Sequence, residues 1–305
     1  MDFFSDTPVK PFLRTRIAPT PSGYLHLGNI YSFVLTATLA QRHGARILLR
    51  IDDLDRQRAQ PAYIQDIFDT LNFLEIPWHE GPRNADEFER EYSQVHRMEL
   101  YLAALAELRE KQALFACDCS RSKIQQADAT GAYTGHCRTR GVPFDAAEVN
   151  WRLRTDNEAP QTVRTLGEPI VAELPQEQYD FVVRKKDEDA AYQLASVLDD
   201  EHFGVDLIVR GMDLWASTLA QLYLARVLGR EKYTETTFYH HSLITGPGGD
   251  KLSKSAGATS IQYLRKEGRS AADVYTLLAG QVGIVELVNS WKELGAKLFA
   301  EYGAL

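Results

Sequence analysis

The chain has 305 residues, 44% hydrophobic and 25% charged, with 34 Lys and Arg against 42 Asp and Glu. That length suits one large domain or two moderate ones with a sizeable core, and the net charge of −8 excludes a global basic footprint for nucleic acid. No apolar run approaches the roughly 20 residues that span a bilayer, and the start, with Asp2, Asp6 and early prolines, lacks a signal peptide's charged n-region and apolar core, so the expected location is cytoplasmic.

Phe12 to Ile17 predicts a short strand, and two prolines and a glycine then force a turn. After His26-Leu27-Gly28 a helical pattern begins, with Ile30, Phe33, Val34 and Ala37 on one face and Gly44 as its stop. A strand feeding such a turn and a helix N-terminus can hold phosphate on outward-pointing backbone N–H groups. Gly28 would let a nucleotide approach the backbone, and His26 could donate to a phosphate oxygen. Arg46 to Ile51 reads as a second strand, completing a βαβ unit. Pro61 opens a helix carrying Ile64, Ile67, Phe68, Leu71 and Leu74. Asp86 and Glu89 predict one long helix reaching about Gln112, with Val95, Leu102, Leu105 and Leu108 as core.

Residues 117–178 change character and read as an insertion, with short β runs at Asn150–Thr155 and Pro169–Ala172. All three cysteines fall between positions 117 and 137, which in a cytoplasmic protein favours metal over disulfides. Arg138, Arg140, Arg152 and Arg154, or Arg184-Lys-Lys186, could form a local basic patch, or simply solvated faces. The α/β alternation returns with strand Phe181–Arg184, helix Ala190–Leu198, strand Val205–Arg210, helix Trp215–Val227 and strand Thr236–Leu243. The expected division is thus an α/β domain in two halves, 1–116 and 179–255, with the insertion between them. A helical part over 256–305 follows, with Val274, Leu277 and Leu278 and then Ile284 to Leu298 amphipathic. In open parallel sheets ligands sit beyond the carboxyl ends of the strands, so Ala18–His26, Asp52–Asp55 and Arg210 could share one crevice.

The turn ending His26-Leu27-Gly28-Asn29, taken with Lys251-Leu-Ser-Lys-Ser255, resembles the HIGH and KMSKS signatures of class I aminoacyl-tRNA synthetases. Arg50-Ile-Asp-Asp-Leu-Asp55 is similar to the Arg-Ile-Glu-Asp run of their glutamyl branch. The resemblance runs roughly from Arg14 to Ser255 and is closest to the glutamyl-queuosine tRNA(Asp) synthetases, short paralogues of the glutamyl-tRNA synthetases. It implies a Rossmann-like parallel sheet with an inserted zinc-binding subdomain, and a ligase that activates L-glutamate with ATP and Mg²⁺. His26, Lys251 and Lys254 would be catalytic, with Gly28, Asn29 and Ser253 joining them around ATP. Arg16, Ala18, Thr20, Asp52, Tyr192 and Arg210 would hold glutamate. Asp52 departs from the family's glutamate by one methylene, which keeps the charge but shortens its reach toward the ammonium. Cys117, Cys119, Tyr133 and Cys137 match the family's structural Zn²⁺ site, although His136 is in general chemically the better fourth ligand.

Fifty residues follow Ser255, where glutamyl-tRNA synthetases continue with anticodon-gripping helical domains. The resemblance therefore implies a monomer whose crevice takes the anticodon loop of tRNA(Asp). Two other readings stay open: a truncated glutamyl- or glutaminyl-tRNA synthetase charging a 3′ end, or an idle relative that only binds. Intact His26, Lys251 and Lys254 speak against idleness.

Overall fold

The structure, a computed structural model, describes residues 11–155, 160–244 and 260–301. The elements follow in chain order as β1 (Arg14–Ile17), α1 (Leu27–His43), β2 (Arg46–Leu49), α2 (Pro61–Phe73), α3 (Ala85–Glu87), α4 (Met98–Glu110), β3 (Leu114–Cys117), α5 (Arg121–Ala127), β4 (Asn150–Leu153), β5 (Gln161–Thr165), β6 (Ile170–Ala172), β7 (Val182–Arg184), α6 (Tyr192–His202), β8 (Leu207–Gly211), α7 (Trp215–Val227), α8 (Glu231–Thr234), β9 (Thr237–His241), α9 (Ile261–Lys266), α10 (Ala271–Gln281) and α11 (Trp291–Glu301). They divide into two compact units. The first holds the described residues up to His96, Val205–Met212 and those from Tyr239 onward; the second holds Arg97–Gly204 and Asp213–Phe238.

The first unit is built on a parallel sheet. β1 pairs in parallel with β2 (Thr15 opposite Ile47, Ile17 opposite Leu49) and with β8 through Thr15 and Leu207. β2 and β8 carry the apolar runs expected of covered strands, whereas β1 buries Thr15 and Arg16 beside Ile17; Ile17, Leu49 and Leu207 are fully buried. α1 packs Ile30, Val34, Leu35 and Leu39 into that core. It stops at Gly44, whose φ of 71° only glycine adopts cheaply and whose N–H reaches the Ala40 carbonyl. Asp206 pins the start of β1 by accepting from the N–H groups of Leu13 and Arg14, 2.9 Å each. α11 lies against α1 at Gly295, where a Cβ would stand 2.0 Å from Thr38 Oγ1.

The second unit contains an antiparallel sheet in the order β3-β4-β7. A separate β5–β6 hairpin pairs in parallel, through Arg164 and Thr165, with Thr237 and Phe238 at the start of β9. Its helical core is keyed by Asp199, fully buried on α6, which accepts from Arg97 and from the Tyr101 hydroxyl at 2.7 Å each.

Three elements differ from their sequence reading. The single helix expected from Asp86 to Gln112 is broken. Asn84 caps α3 by accepting from the Glu87 N–H, and the chain then unwinds so that Ser93 and Gln94 can bind the buried Asp53. Val95 and Leu102, expected in the core, are exposed as a result. β7 joins β4 in the antiparallel sheet rather than extending the parallel one. Ile284 to Leu298 is not one helix, since α11 starts at Trp291 and Val285 and Leu287 are exposed.

Candidate functional site

In the first unit, the carboxyl ends of β1, β8 and β9 bring together groups far apart in sequence. Arg16 on β1 is buried and donates from Nη1 to the Val209 carbonyl at 3.2 Å. Arg210, also buried, follows on the adjacent strand β8. His240 on β9 donates from Nδ1 to the Gly211 carbonyl, 3.2 Å away, since a carbonyl can only accept. Burial, with repulsion from Arg210 and Arg16, holds His240 down at about 4, below its ordinary 6.5. Two guanidiniums and a neutral imidazole thus line one end of the sheet, an environment suited to an anion.

Asp52 sits where the chain leaves β2, its N–H bonded to the Pro19 carbonyl at 3.0 Å, so it is held against the segment that leaves β1. Both of its oxygens accept from Arg50, at 2.7 and 3.1 Å, and both residues are buried. The clamp fixes the orientation of the carboxylate. Ala18 is half-buried and Thr20 exposed on the turn between β1 and α1.

That turn delivers His26 as the N-cap of α1. Its Nδ1 accepts from the Gly28 N–H at 3.1 Å, which puts the neutral ring's proton on Nε2, the donor a phosphate oxygen requires. Asn29 Oδ1 accepts in return from the His26 N–H at 3.1 Å, a reciprocal cap. Gly28 has a role beyond backbone access, because a Cβ there would meet the His26 ring at 3.1 Å. Ser260 and Ile261, which open α9, lie beside the same turn. Ser260 forms an antiparallel bridge with His26, and Ile261 N–H reaches the Leu25 carbonyl at 2.8 Å.

A different chemistry is assembled in the second unit. Cys117 ends β3, Cys119 follows it, and Cys137 lies on the loop after α5; all three are buried with their sulfurs within 4.8 Å of one another. Cys119 and Cys137 sulfurs are 3.6 Å apart, close to the ~3.8 Å edge expected of a tetrahedron with ~2.3 Å Zn–S bonds. Without a cation burial pushes the Cys119 thiol up to about 12, so an ion would gain by drawing it into the thiolate form. Tyr133 is buried in the same cluster, its hydroxyl accepting from the Cys137 N–H at 2.8 Å, whereas His136 is exposed. The donor set therefore fits a metal ion. Arg140 spans Asp118 Oδ1 (2.8 Å) and Cys137 Sγ (3.3 Å), and Arg152 lies 3.8 Å from the centre of the Tyr133 ring.

Residues 12–279 match the model of the family described as tRNA synthetases class I (E and Q), catalytic domain. The chain belongs to this family. A protein of Symbiobacterium thermophilum named glutamyl-Q tRNA(Asp) synthetase is 36% identical over 289 residues, 89% of this chain and 87% of its own. A Rhodobacter capsulatus protein of the same name is 34% identical over 288 residues, 87% of this chain and 99% of its own. Among solved structures, glutamate-tRNA synthetase from Elizabethkingia anophelis superposes with a TM-score of 0.73 at 21% identity. That likeness concerns the fold; this chain is covered to 93% and spans 65% of that one.

For this class I synthetase-family chain, the residues singled out in the sequence fall into three groups. Arg16, Asp52, Arg210, His26, Gly28 and Asn29 lie at strand ends or at the α1 turn of the first unit. Tyr192 is the first residue of α6 in the second unit, with an exposed side chain. Lys251, Ser253 and Lys254 lie outside the described residues. The basic stretch in the second unit is largely engaged internally: Arg138 pairs with Asp180, Arg154 covers the Phe115 ring, and Arg184 pairs with Glu188. His240 was missed, although the His240-His241 pair at the end of a predicted strand was a usable signal. Among the described residues no helix is long and apolar enough to cross a membrane.

Proposed function

We propose that the protein activates L-glutamate with ATP as glutamyl-adenylate and transfers the glutamyl group to queuosine of tRNA(Asp), acting as a cytoplasmic monomer. The observation that carries the reading is the buried Arg16–Arg210 end of the sheet beside the clamped Asp52, which complements an amino acid with an acidic side chain. The names of the relatives supply the acceptor. Arg16 would take the side-chain carboxylate, where guanidinium geometry favours an acid over its amide. Asp52 would meet the ammonium, and Ala18, Thr20 and Arg210 would complete the pocket.

One oxygen of the glutamate α-carboxylate attacks the α-phosphorus; the new P–O bond forms as the bond to the bridging oxygen breaks and pyrophosphate leaves. No side-chain nucleophile is needed, so catalysis is alignment and stabilisation of phosphate charge. His26 would donate from Nε2, with Lys251 and Lys254 following the outer phosphates and Gly28, Asn29 and Ser253 around the nucleotide. Mg²⁺ bound with ATP would supply further charge neutralisation. In the second unit Cys117, Cys119 and Cys137 would hold a structural Zn²⁺, with the Tyr133 hydroxyl as fourth ligand, supported by its burial among the thiols.

Glutamate-dependent ATP–pyrophosphate exchange, measured with and without tRNA, tests activation. Exchange without tRNA is expected, and no exchange under either condition would overturn the reading. Transfer is then assayed on queuosine-containing tRNA(Asp) whose 3′ end is blocked by a method that spares queuosine's cis-diol. Label is expected on that tRNA. Label confined to the terminal adenosine of tRNA(Glu) would instead support 3′-end charging.

A further inference from the structure

A closed circuit of polar contacts surrounds the residue just before His26. Leu25 donates its N–H to Asp66 Oδ2 on α2, at 3.3 Å, and accepts at its carbonyl from the Ile261 N–H, at 2.8 Å. One turn further along α9, Arg265 Nη1 returns to Asp66 Oδ1 at 3.4 Å, while Nη2 reaches Asp69 at 3.5 Å. Both backbone groups of Leu25 are therefore held, one by α2 and one by α9, and the Asp66–Arg265 pair closes the loop. Tyr63 on α2 adds an edge-on ring contact to Tyr24, 4.9 Å between centroids. The Asp66 side chain is 4% exposed, whereas Arg265 is 28% exposed beside a groove of about 570 Å³ that both line.

A carboxylate so enclosed is an inefficient way to stabilise a helix face, because burial disfavours its charge. Burial does raise the Asp66 pKa, opposed by the Leu25 N–H and by Arg265. Those two opposing partners come from separate stretches of chain, the turn that ends in His26 and the last turn of α9. We infer that Asp66 and Arg265 form a positioning pair, which fixes the His26 turn against the start of α9 and so sets the geometry in which phosphate is activated. The inference rests on the proposed function and adds two residues that touch no substrate. Ser260 is the first described residue after 245–259, the stretch containing Lys251 and Lys254, and it bridges to His26 itself. The pair thus acts where the His26 turn meets the first residues of α9.

The test uses the full chain carrying Arg265→Ala, Arg265→Lys, Asp66→Asn or the double substitution Asp66→Asn with Arg265→Ala. In glutamate-dependent ATP–pyrophosphate exchange each neutralising variant should lose about tenfold in kcat, with KM for ATP within about twofold, since alignment rather than binding is disturbed. The double variant should be no worse than the worse single, and Arg265→Lys should retain activity within about threefold because the charge survives. A second readout is amide hydrogen exchange at Leu25 and His26, which should quicken in Arg265→Ala although residue 265 contacts neither amide. Unchanged kcat in folded variants, or additive losses in the double, would overturn the pair. Wild-type protein without exchange activity would sink the proposed function instead. The pair would then be judged on hydrogen exchange alone, and unaltered Leu25 and His26 amides would reject it.

Discussion

The two units solve the problem of holding charge in opposite ways. In the first, Arg16, Asp52, Arg210 and His240 come from four separate stretches of chain and are placed by strand ends and by bonds such as Asp52 N–H to the Pro19 carbonyl. In the second, Cys117, Cys119 and Cys137 come from 21 consecutive residues, and only Cys117 lies in a strand. The first site is preorganised by the fold, so under the proposed function it would release its ligand without losing shape. The second has little regular structure beneath it, so an ion there would organise the loop rather than be organised by it. The difference teaches that a site held by the sheet should fail chemically when altered, and a site held by an ion should fail structurally.

The largest effect should come from Arg16→Ala, which would remove the proposed partner of the glutamate side-chain carboxylate. The kcat/KM for glutamate should fall about 100- to 1,000-fold, with selectivity over glutamine lost and melting temperature nearly kept; a large loss of stability would break the comparison. Next, Cys137→Ser should abolish zinc retention by elemental analysis and lower the melting temperature by more than about 5 °C, while KM for glutamate stays within about threefold. A fall in glutamate activation equal to that of Arg16→Ala would mean the two sites are not separable.

Gly28→Ala sharpens the first half of the contrast. The added Cβ meets the His26 ring at 3.1 Å, so exchange should drop about tenfold through a displaced imidazole. Folding stability should meanwhile hold or rise by up to about 1 kcal/mol from reduced backbone entropy, as thermal denaturation would report.

The smallest effect concerns His240. Its folded pKa is depressed to about 4 from 6.5, so between those values the unfolded chain binds more protons. Stability should therefore rise with pH across that window and be lost as pH falls through it. Urea midpoints at pH 4.5 and 7 should differ less in His240→Asn than in wild type. An unchanged slope would mean that this end of the sheet is open to solvent.

The same contrast explains what could be read from sequence. The cysteine cluster was legible because its spacing is local, and its sulfurs do meet. The α1 turn was legible because proline, glycine and the stop at Gly44 act on their own neighbourhood. Arg210 was marked by its predicted strand end, but Arg16 was reached only through family resemblance, since nothing local marks which strand-end arginines will lie together across nearly two hundred residues. His240 carried no such label and was missed. The break between α3 and α4 was invisible for the same reason. Periodicity favours one continuous helix, but the distant Asp53 draws Ser93 and Gln94 out of it.

The close approach of Gly295 to Thr38 has a consequence for birth order. α1, whose first turn carries His26, is among the first elements made, and α11, which covers it, is the last in the described chain. At roughly 5–20 residues per second, translation separates Thr38 from Gly295 by about 10–50 s. During that interval a nascent chain carries the finished His26 turn on a helix without its α11 cover. Ribosome-stalled chains cut before Trp291 should show α1 open to protease, and chains that include α11 should not. Intact α1 in the shorter chains would mean that α11 merely decorates it.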